Sequence, residues 1–272
     1  LPVDFDMERT TPSLFGEARR DGGDAINSGA LDVYAGIRAD YIDTEETVPT
    51  VRAGAVYRLP GNRTALRASA GTGFKSPSFY ALGDPLVGNA DLEDERSVTG
   101  EIGVNHRIGE ATSVDVAAYY AHYTDLIDFD GATFGLVNRS EVDVSGVEAT
   151  ANHTIGAHAL SVFAAWTDVD APEGAVLLRP DWRAGARWHW SADRLSASAS
   201  WRYRSETEAS SVPTGIVTLD ASQRLDVVAS YALSQGTVVS LTADDLFDSE
   251  GEAQPGFTPW GRRIGIRLEL AY

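Results

Sequence analysis

Cysteine is absent from the 272 residues and lysine occurs once, at Lys75. Without cysteine, neither a disulfide framework nor a thiolate metal site can form. No run of about 18 or more apolar residues occurs, so a transmembrane helix is excluded by length. Basic residues are few, 22 against 40 acidic residues, and the net charge of −18 opposes binding to nucleic acid. Leu1 is not a start methionine and no basic stretch leads into an apolar segment, so we expect the chain to begin downstream of its export signal.

The sequence is rich in segments that alternate apolar and polar residues. A period of two is that of a β-strand with one dry face. Thirteen strands are predicted, at residues 13–20, 29–40, 50–58, 64–73, 97–108, 112–125, 142–154, 158–168, 183–190, 194–204, 217–231, 237–247 and 259–272. The fold class is therefore all-β, without a linker or a competing helical period.

The connections between these strands alternate in length. Short turns are expected at 60–62, 155–157, 191–193 and 234–236, and long loops at 75–96, 126–141, 169–182, 205–216 and 248–258. Outer-membrane β-barrels have this asymmetry, with tight periplasmic turns and larger extracellular loops. If the carboxyl terminus is periplasmic, all short turns lie on that side and all long loops outside. The pattern predicts a transmembrane antiparallel β-barrel.

The faces of single strands agree with a lipid-exposed wall around a wet lumen. Leu195, Ala197 and Trp201 would meet lipid, while Ser196 and Arg202 would face inward. An inward ladder of ion pairs is predicted from Asp220, Arg224, Asp226, Arg202 and Arg204. Two aromatic girdles are expected, an outer one from Trp166, Trp182, Trp201 and Trp260 and an inner one from Trp188, Trp190, Tyr231 and Tyr272. In the alternative, a soluble β-sandwich, too many Arg and Asp side chains would be buried unpaired.

The last segment keeps its alternation up to the final residue. Its apolar face consists of Ile264, Ile266, Leu268, Leu270 and Tyr272. We interpret this face as a membrane-insertion signal, which would be read by the barrel-assembly machinery and end in contact with outer-membrane lipid and lipopolysaccharide.

Several short motifs together resemble the barrel signature of TonB-dependent outer-membrane receptors. They comprise Gly71, Gly73, Phe74, Lys75 and Pro77; Asn89, Leu92, Glu95 and Glu101; Gly146 and Glu148; Leu246, Phe247 and Asp248; and Gly261 and Arg262. The chain departs from the family pattern at Asp94, where proline is usual, and at Asp245, where asparagine is usual.

This resemblance implies an N-terminal plug and a 22-stranded barrel, of which the 13 strands would be strands 10 to 22. Residues 1–272 would then be the C-terminal barrel portion, and the plug, the first nine strands and the TonB-recruiting segment would lie outside this chain. Residues 1–11 would lie in an extracellular loop. The missing portion is an expected partner, because an open sheet in lipid leaves two unpaired edges. TonB would act through the plug.

Residues 126–130, 146–152 and 177–179 are similar to the cobalamin (vitamin B12) receptors of that family. The resemblance implies active import of a scarce nutrient across the bacterial outer membrane, with cobalamin preferred and a ferric siderophore as the alternative. A passive porin-like channel and a surface protein that docks phage or colicin are further alternatives. Enzyme activity is not predicted, because no Gly-x-Ser-x-Gly elbow, phosphate loop or HExxH motif occurs. No cofactor is expected.

Other candidate residues have simple structural interpretations. Gly71, Gly73 and Pro77 would end a strand, and Lys75 would pair with a plug carboxylate or snorkel to the interface. Six loop acids offer oxygen ligands for calcium, although exposure to solvent is their simpler interpretation. They are Asp128, Asp130, Glu141, Asp168, Asp170 and Glu173. The five histidines lie on separate strands without metal-ligand spacing: His106, His122, His153, His158 and His189.

Leu268→Arg tests the predicted faces. A charged side chain on the lipid face near the midplane should cost about 2 to 4 kcal/mol of insertion free energy. Arg267→Leu, on the other face, should be far milder. Denaturant titration of the protein in lipid vesicles measures both, and equal effects would contradict the assignment.

Overall fold

The computed structural model describes residues 7–23, 28–42, 46–171, 177–211 and 215–270. Strands dominate them: β1 Ser13–Arg20, β2 Ala30–Ile42, β3 Glu46–Arg58, β4 Thr64–Lys75, β5 Glu95–Ile108, β6 Thr112–Asp130, β7 Gly135–Ile155, β8 His158–Asp170, β9 Trp182–Ala192, β10 Leu195–Arg204, β11 Thr207–Ser211, β12 Gly215–Leu219, β13 Ser222–Ser234, β14 Thr237–Asp244 and β15 Arg263–Leu270. A five-residue helix, α1, spans Phe79–Gly83. Within these ranges, no helix is long and apolar enough to cross a membrane.

The chain divides into two compact units. The first contains residues 1–104, 117–146 and 168–176, and the second contains residues 105–116, 147–167 and 177–272, so β5, β6, β7 and β8 contribute to both. In the first unit, β1 to β7 pair in chain order; in the second, β5 to β10 and then β13 to β15 do so. The thirteen strands of this sheet match the number predicted from the sequence. β11 and β12 form a separate two-stranded sheet.

In the first unit, the strand register separates small apolar residues from charged ones. Ala35 pairs with Ala53, which pairs with Ala70, so three alanines lie side by side on one face. The opposite face carries cross-strand ion pairs, Glu17 with Arg52, Asp32 with Arg58 and Arg67 with Glu101. One face of this sheet is therefore suited to lipid and the other to water.

The second unit repeats this separation of faces. Trp201 and Leu225 are paired on the apolar face, as are Leu241 and Ile266. On the polar face, an oxygen of Asp226 accepts a hydrogen bond from Arg202 Nη2 at 2.8 Å, and its other oxygen accepts one from Arg224 Nε at 2.7 Å. The predicted ion-pair ladder is thus confirmed for Arg202, Arg224 and Asp226.

The ladder prediction is wrong for its other two members. Asp220 lies in the break between β12 and β13, not on a strand. Arg204 donates instead to the main-chain oxygens of Ser205 and Glu252, because the loop after β14 reaches its guanidinium. The alternation of residue types could not reveal this loop contact.

Aromatic residues bracket the apolar face of the second unit. At one end of β8 and β9, Trp166 pairs with Trp182, and eight residues away His158 pairs with Trp190. The His158 ring also stacks on Trp188, with centroids 5.9 Å apart. Eight residues span about 27 Å of strand, or roughly 20 Å of membrane at the usual tilt, close to the apolar band of known barrels. The aromatic positions thus agree with two girdles; Tyr272 lies outside the described residues.

Four sequence-based assignments of strands and loops are corrected by the structure. The predicted strand at 217–231 is two strands, because β12 pairs back on β11 and the chain breaks before β13. The predicted loop at 126–141 is mostly strand, with only 131–134 between β6 and β7. The last strand begins at Arg263 rather than 259, and β14 ends at Asp244 rather than 247. A period of two indicates a strand but does not identify its pairing partner. It therefore cannot show where one strand ends and a strand with a different partner begins.

Gly54→Ala tests the packing on the polar face of the first unit. A Cβ at Gly54 would lie 2.5 Å from the ring of Tyr34, which covers this position. We expect the crowding to cost about 1 to 3 kcal/mol of unfolding free energy. Gly100→Ala is the control, since its Cβ would meet nothing nearer than 3.9 Å. Equal stability of the two variants in denaturant titration would contradict this packing.

Candidate functional site

The hairpin of β6 and β7 is longer than a membrane requires. These strands have 19 and 21 residues, whereas about 9 to 11 residues cross a bilayer as a tilted strand. The connection between β5 and β6 is a tight turn at 109–111, on the short-turn side. The excess of about eight residues per strand therefore projects on the side of the long loops. The projecting part comprises residues 123–142.

The loop from Ser76 to Asp94 folds into a compact structure. The Ser78 hydroxyl caps α1 by accepting a hydrogen bond from the Ala81 amide at 3.1 Å. Asp84 turns the chain after the helix, because its carboxylate accepts the amides of Leu86 and Val87 at 2.9 and 3.0 Å. Ala81 and Leu92 are buried. This segment, expected only as a loop, therefore has its own helix and small core.

The folded loop docks on the projecting hairpin through main-chain hydrogen bonds. The Leu136 amide donates to the Val87 oxygen at 2.8 Å, and the Asn89 side chain donates to the Leu136 oxygen at 3.1 Å. The side chain of Asn138 bonds both main-chain groups of Glu93, at 2.9 and 3.1 Å. We call the joined segments, residues 75–95 and 123–142, the outer platform.

A buried carboxylate fixes the base of the outer platform. Glu95 is only 8% exposed and accepts hydrogen bonds from Lys75 Nζ and from the Ile127 amide, each at 2.9 Å. Nearby, Arg139, also buried, donates to Asp128 at 2.8 Å. Lys75 thus has a partner within its own chain, instead of the plug carboxylate or lipid interface considered from the sequence. Buried ions need such partners, because an unpaired one is costly.

The tip of the hairpin is ordered by a polar turn. Asp130 accepts hydrogen bonds from the Thr133 hydroxyl and from the amides of Ala132 and Thr133, and these lower the pKa of its carboxyl below the ordinary value. Phe129 and Phe134 pack edge to face, with centroids 5.4 Å apart. The tip therefore presents aromatic and acidic groups in a fixed arrangement.

The acids considered for calcium are placed as follows. Asp128 is paired with Arg139, Asp130 closes the turn at the tip, and Glu141, Asp168 and Asp170 are exposed. Glu173 lies outside the described residues. Across the described part of the chain, no three His, Cys, Asp or Glu side chains are grouped so as to hold a metal ion.

The structure brings together part of the family motif. Lys75, Pro77, Asn89, Leu92 and Glu95 all lie in the outer platform, where Lys75 contacts Glu95 and Pro77 accepts a hydrogen bond from Arg9 at 3.1 Å. The remaining members of this group lie on strands: Gly71, Gly73 and Phe74 in β4, Glu101 in β5, and Gly146 and Glu148 in β7. Glu101 joins the polar face through Arg67, and Glu148 is exposed.

The closing motif forms a second hydrogen-bonded structure. Asp248 Oδ1 accepts the Arg262 amide at 2.7 Å, and Gly261 between them has a φ of +69°, which favours glycine. Asp245 is only 2% exposed and accepts the Ser249 amide, while its own amide donates to Asp226 at 3.0 Å. Aspartate at this departure from the family pattern therefore receives a backbone hydrogen bond. Leu246 and Phe247 lie between these two aspartates.

The sequence analysis did not identify the roles of Ser78, Asn138 and Arg139. Each acts through a partner remote in sequence or through a local cap, and none belongs to a motif or to a periodic face. A serine directly before a short apolar run, as Ser78 is before residues 79–82, is only a weak helix-start signal. Nothing local could identify Asn138, since its partner is the backbone of residue 93. The contacts in both structures hold loops in place, which suits binding rather than chemistry.

Comparisons with known proteins agree with this architecture. A family profile described as "TonB dependent receptor-like, beta-barrel" matches residues 3–246. The vitamin B12 transporter BtuB of Vibrio cholerae (strain O395) is 30% identical over 202 residues, which cover 71% of this chain and 32% of that protein. BtuB of Vibrio vulnificus is 31% identical over 200 residues, covering 70% and 31%. The chain thus spans about a third of the length of these relatives.

Among solved structures, the chain resembles the ferric-catecholate import receptor Fiu of E. coli K12 in its closed form. The TM-score is 0.74 and the identity 14%, over 97% of this chain and 45% of that one. At this identity the likeness shows the fold. The all-β barrel portion predicted from the sequence is confirmed.

Asn138→Ala tests the outer platform. Removing the side chain breaks its bonds to Glu93 and to the Asp125 oxygen, so loop 84–95 should open more easily by about 1 to 3 kcal/mol. Hydrogen exchange of the amides of residues 86–95 measures this opening.

Thr133→Ala is its control, because Thr133 bonds only within the tip turn. It should leave exchange at 86–95 unchanged. Equal exchange in wild type and Asn138→Ala would mean that Asn138 does not hold the loop.

Asp248→Ala tests the closing structure. Loss of the bond to the Arg262 amide should cost about 0.5 to 1.5 kcal/mol. Asp248→Asn keeps an acceptor oxygen and should recover most of the loss. Thermal unfolding in detergent provides the comparison, and failure of asparagine to restore stability would contradict an acceptor role.

Proposed function

Because the chain belongs to the TonB-dependent receptor β-barrel family, we propose that it forms the C-terminal barrel wall and extracellular loops of an active nutrient importer. The protein resides in the bacterial outer membrane, as members of this family do. Residues 1–272 would supply strands 10 to 22, and the plug and earlier strands would come from the rest of the receptor. The single observation that carries the proposal is the family match over residues 3–246.

Cobalamin is the preferred substrate. Two curated relatives named vitamin B12 transporters match at 30% and 31% identity over about 200 residues. The likeness to the ferric-catecholate receptor rests on 14% identity, so it supports the fold and carries less weight for the substrate. A ferric siderophore therefore remains the alternative within the same transport mechanism.

In the proposed mechanism, extracellular loops capture the nutrient and the plug opens the path when TonB pulls on it. The proton gradient supplies the work. This chain contributes no chemistry: the polar face lines the path, and the outer platform holds two loops in a fixed arrangement. A preformed surface loses less conformational entropy on binding than free loops would. Ordered loops thus support capture of a scarce ligand.

The charged face supports a wet interior. Its ion pairs join different strands: Asp32 with Arg58 and Arg202 with Asp226 between neighbours, and Glu17 with Arg52 across β2. Such pairing neutralises part of the charge on the wall where it would face the plug and the solute. The apolar face of β15, formed by Ile264, Ile266, Leu268 and Leu270, is exposed and would meet lipid. It would also carry the insertion signal read by the assembly machinery.

Uptake of labelled cobalamin tests this proposal. Cells that lack their own cobalamin receptor and express the whole receptor should take it up saturably, and a protonophore should abolish the uptake. Asn138→Ala should weaken surface binding at 4 °C, whereas Thr133→Ala should not.

Three outcomes would overturn parts of the proposal. Competition by a ferric siderophore but not by cobalamin would replace the substrate. Uptake that survives the protonophore, with large single-channel conductance in planar bilayers, would indicate a passive porin. Phage adsorption without any uptake would indicate a docking protein.

A further inference from the structure

Phe134, at the tip of the β6–β7 hairpin, has a backbone conformation that aromatic residues rarely adopt. Its φ is +55°, in the left-handed region. Among the described residues, seven other than glycine have a positive φ, and five of these are Asn or Asp. Asn and Asp tolerate this region, whereas a bulky side chain there is an outlier. The remaining two are Phe134 and Leu178, and Leu178 belongs to the second unit.

The turn at the tip would be less strained with a different residue at position 134. A hairpin turn that ends in a left-handed residue usually has glycine or asparagine there. Two glycines lie in the same segment, Gly131 and Gly135, but neither of them has a positive φ. The left-handed position is therefore given to phenylalanine although glycines are adjacent. Stability of the turn alone does not account for this choice.

Packing of Phe134 against Phe129 does not account for it either. The two rings meet edge to face, with centroids 5.4 Å apart. A contact of this kind stabilises by about as much as the left-handed conformation costs, so the two effects roughly cancel. An edge-to-face pair covers at most one face of either ring, and Phe134 is 40% exposed. The ring therefore keeps an open surface toward solvent.

The outer platform holds this ring in place. On one side of it, Asp130 accepts hydrogen bonds from the hydroxyl and the amide of Thr133, at 2.7 and 3.1 Å. On the other side, the Leu136 amide donates to the Val87 oxygen at 2.8 Å. Leu86, next to this joint, is 72% exposed and adds apolar surface. A strained and exposed aromatic group in a fixed position suits recognition, because little conformational entropy is lost on binding.

Charge narrows the class of ligand that this surface can take. The outer platform contains nine acidic residues and only two basic ones, Lys75 and Arg139. Both basic side chains are engaged, Lys75 with Glu95 and Arg139 with Asp128. The excess of negative charge repels an anionic ligand that approaches the tip, but it does not oppose a neutral or cationic one.

We propose that Phe134 contacts the imported nutrient and selects one with a broad planar face and no net negative charge. This inference rests on the proposed function and specifies the nutrient class. A planar conjugated ring system gains dispersion and stacking contacts on a phenyl ring. Cobalamin belongs to this class, because its corrin ring is broad and nearly planar and the vitamin carries no net negative charge. Ferric catecholates are anionic and do not belong to it.

Phe134→Asn separates recognition from stability. Asparagine suits the left-handed region, and the strain that it relieves offsets the lost contact with Phe129. The thermal unfolding temperature should therefore stay close to that of wild type. Binding of labelled cobalamin to the whole receptor in outer-membrane vesicles at 4 °C should weaken by about fivefold or more. Phe134→Tyr keeps the ring and should bind within about twofold of wild type.

Phe257→Asn is the matched control, since it removes another exposed phenyl group, from the loop after β14. It should leave cobalamin binding unchanged. Equal binding by wild type and Phe134→Asn would overturn the contact assignment. Weaker binding together with faster amide hydrogen exchange at residues 130–136 would also overturn it, because the ring would then serve the fold of the tip.

Asp91→Asn combined with Glu93→Gln tests the selection by charge. Both side chains are exposed on the outer platform. Removing their charges should strengthen binding of a ferric catecholate at low ionic strength by about twofold or more and leave cobalamin binding unchanged. Unchanged binding of the ferric catecholate would show that platform charge does not select the ligand.

The wild-type receptor separates failure of this inference from failure of the proposed function. If wild type and Phe134→Asn bind cobalamin equally, the contact assignment is wrong and the importer stands. If wild type binds a ferric catecholate but not cobalamin, the nutrient class is wrong. If wild type binds neither, the proposed function is wrong and this inference falls with it.

Discussion

Pairing of the backbone between neighbouring antiparallel strands is the constraint on which the rest of this protein depends. In lipid there is no water to satisfy an amide or a carbonyl, so every membrane-spanning strand needs a partner on each side. Most of the chain meets this need by pairing each strand with the next in sequence, through tight turns on one side and longer loops on the other. Within the described residues, β1 and β15 each pair with a single neighbour. In the proposed receptor, their second partners would be strands outside residues 1–272.

Once the strands are paired, the register decides which side chains can cooperate. Charged residues on one face find partners across strands, as Arg67 does with Glu101 and Arg202 with Asp226. Small residues on the other face align across strands by the same rule, as Ala35, Ala53 and Ala70 do. A shift of one residue would exchange the two faces and place charges in lipid. The register is therefore as important to this wall as the composition of its strands.

Outside the membrane the constraint relaxes, and a different kind of structure appears. Both faces of the projecting β6–β7 hairpin meet water or protein, so strict alternation is no longer required. Loop 76–94 folds on this hairpin through main-chain hydrogen bonds and the side chains of Asn89, Glu95 and Asn138. The family motif thus includes residues that join two long loops, in addition to residues that shape strands.

The sequence by itself determined the fold class, the number of strands in the main sheet, the division of residues between two faces and most short turns. Period two and turn residues are local properties, so they can be read without knowing any partner. Only the tertiary structure decided that β12 lies outside the main sheet and that Lys75 pairs with Glu95. The same is true of the hydrogen bonds from Arg204 to the loop after β14 and from Asn138 to the main chain of Glu93. The last three depend on contacts between segments at least 20 residues apart, and the first depends on β12 pairing with its neighbour β11 rather than with a strand of the main sheet. No local pattern specifies such a contact, because many polar residues could satisfy the same backbone group and folding selects one.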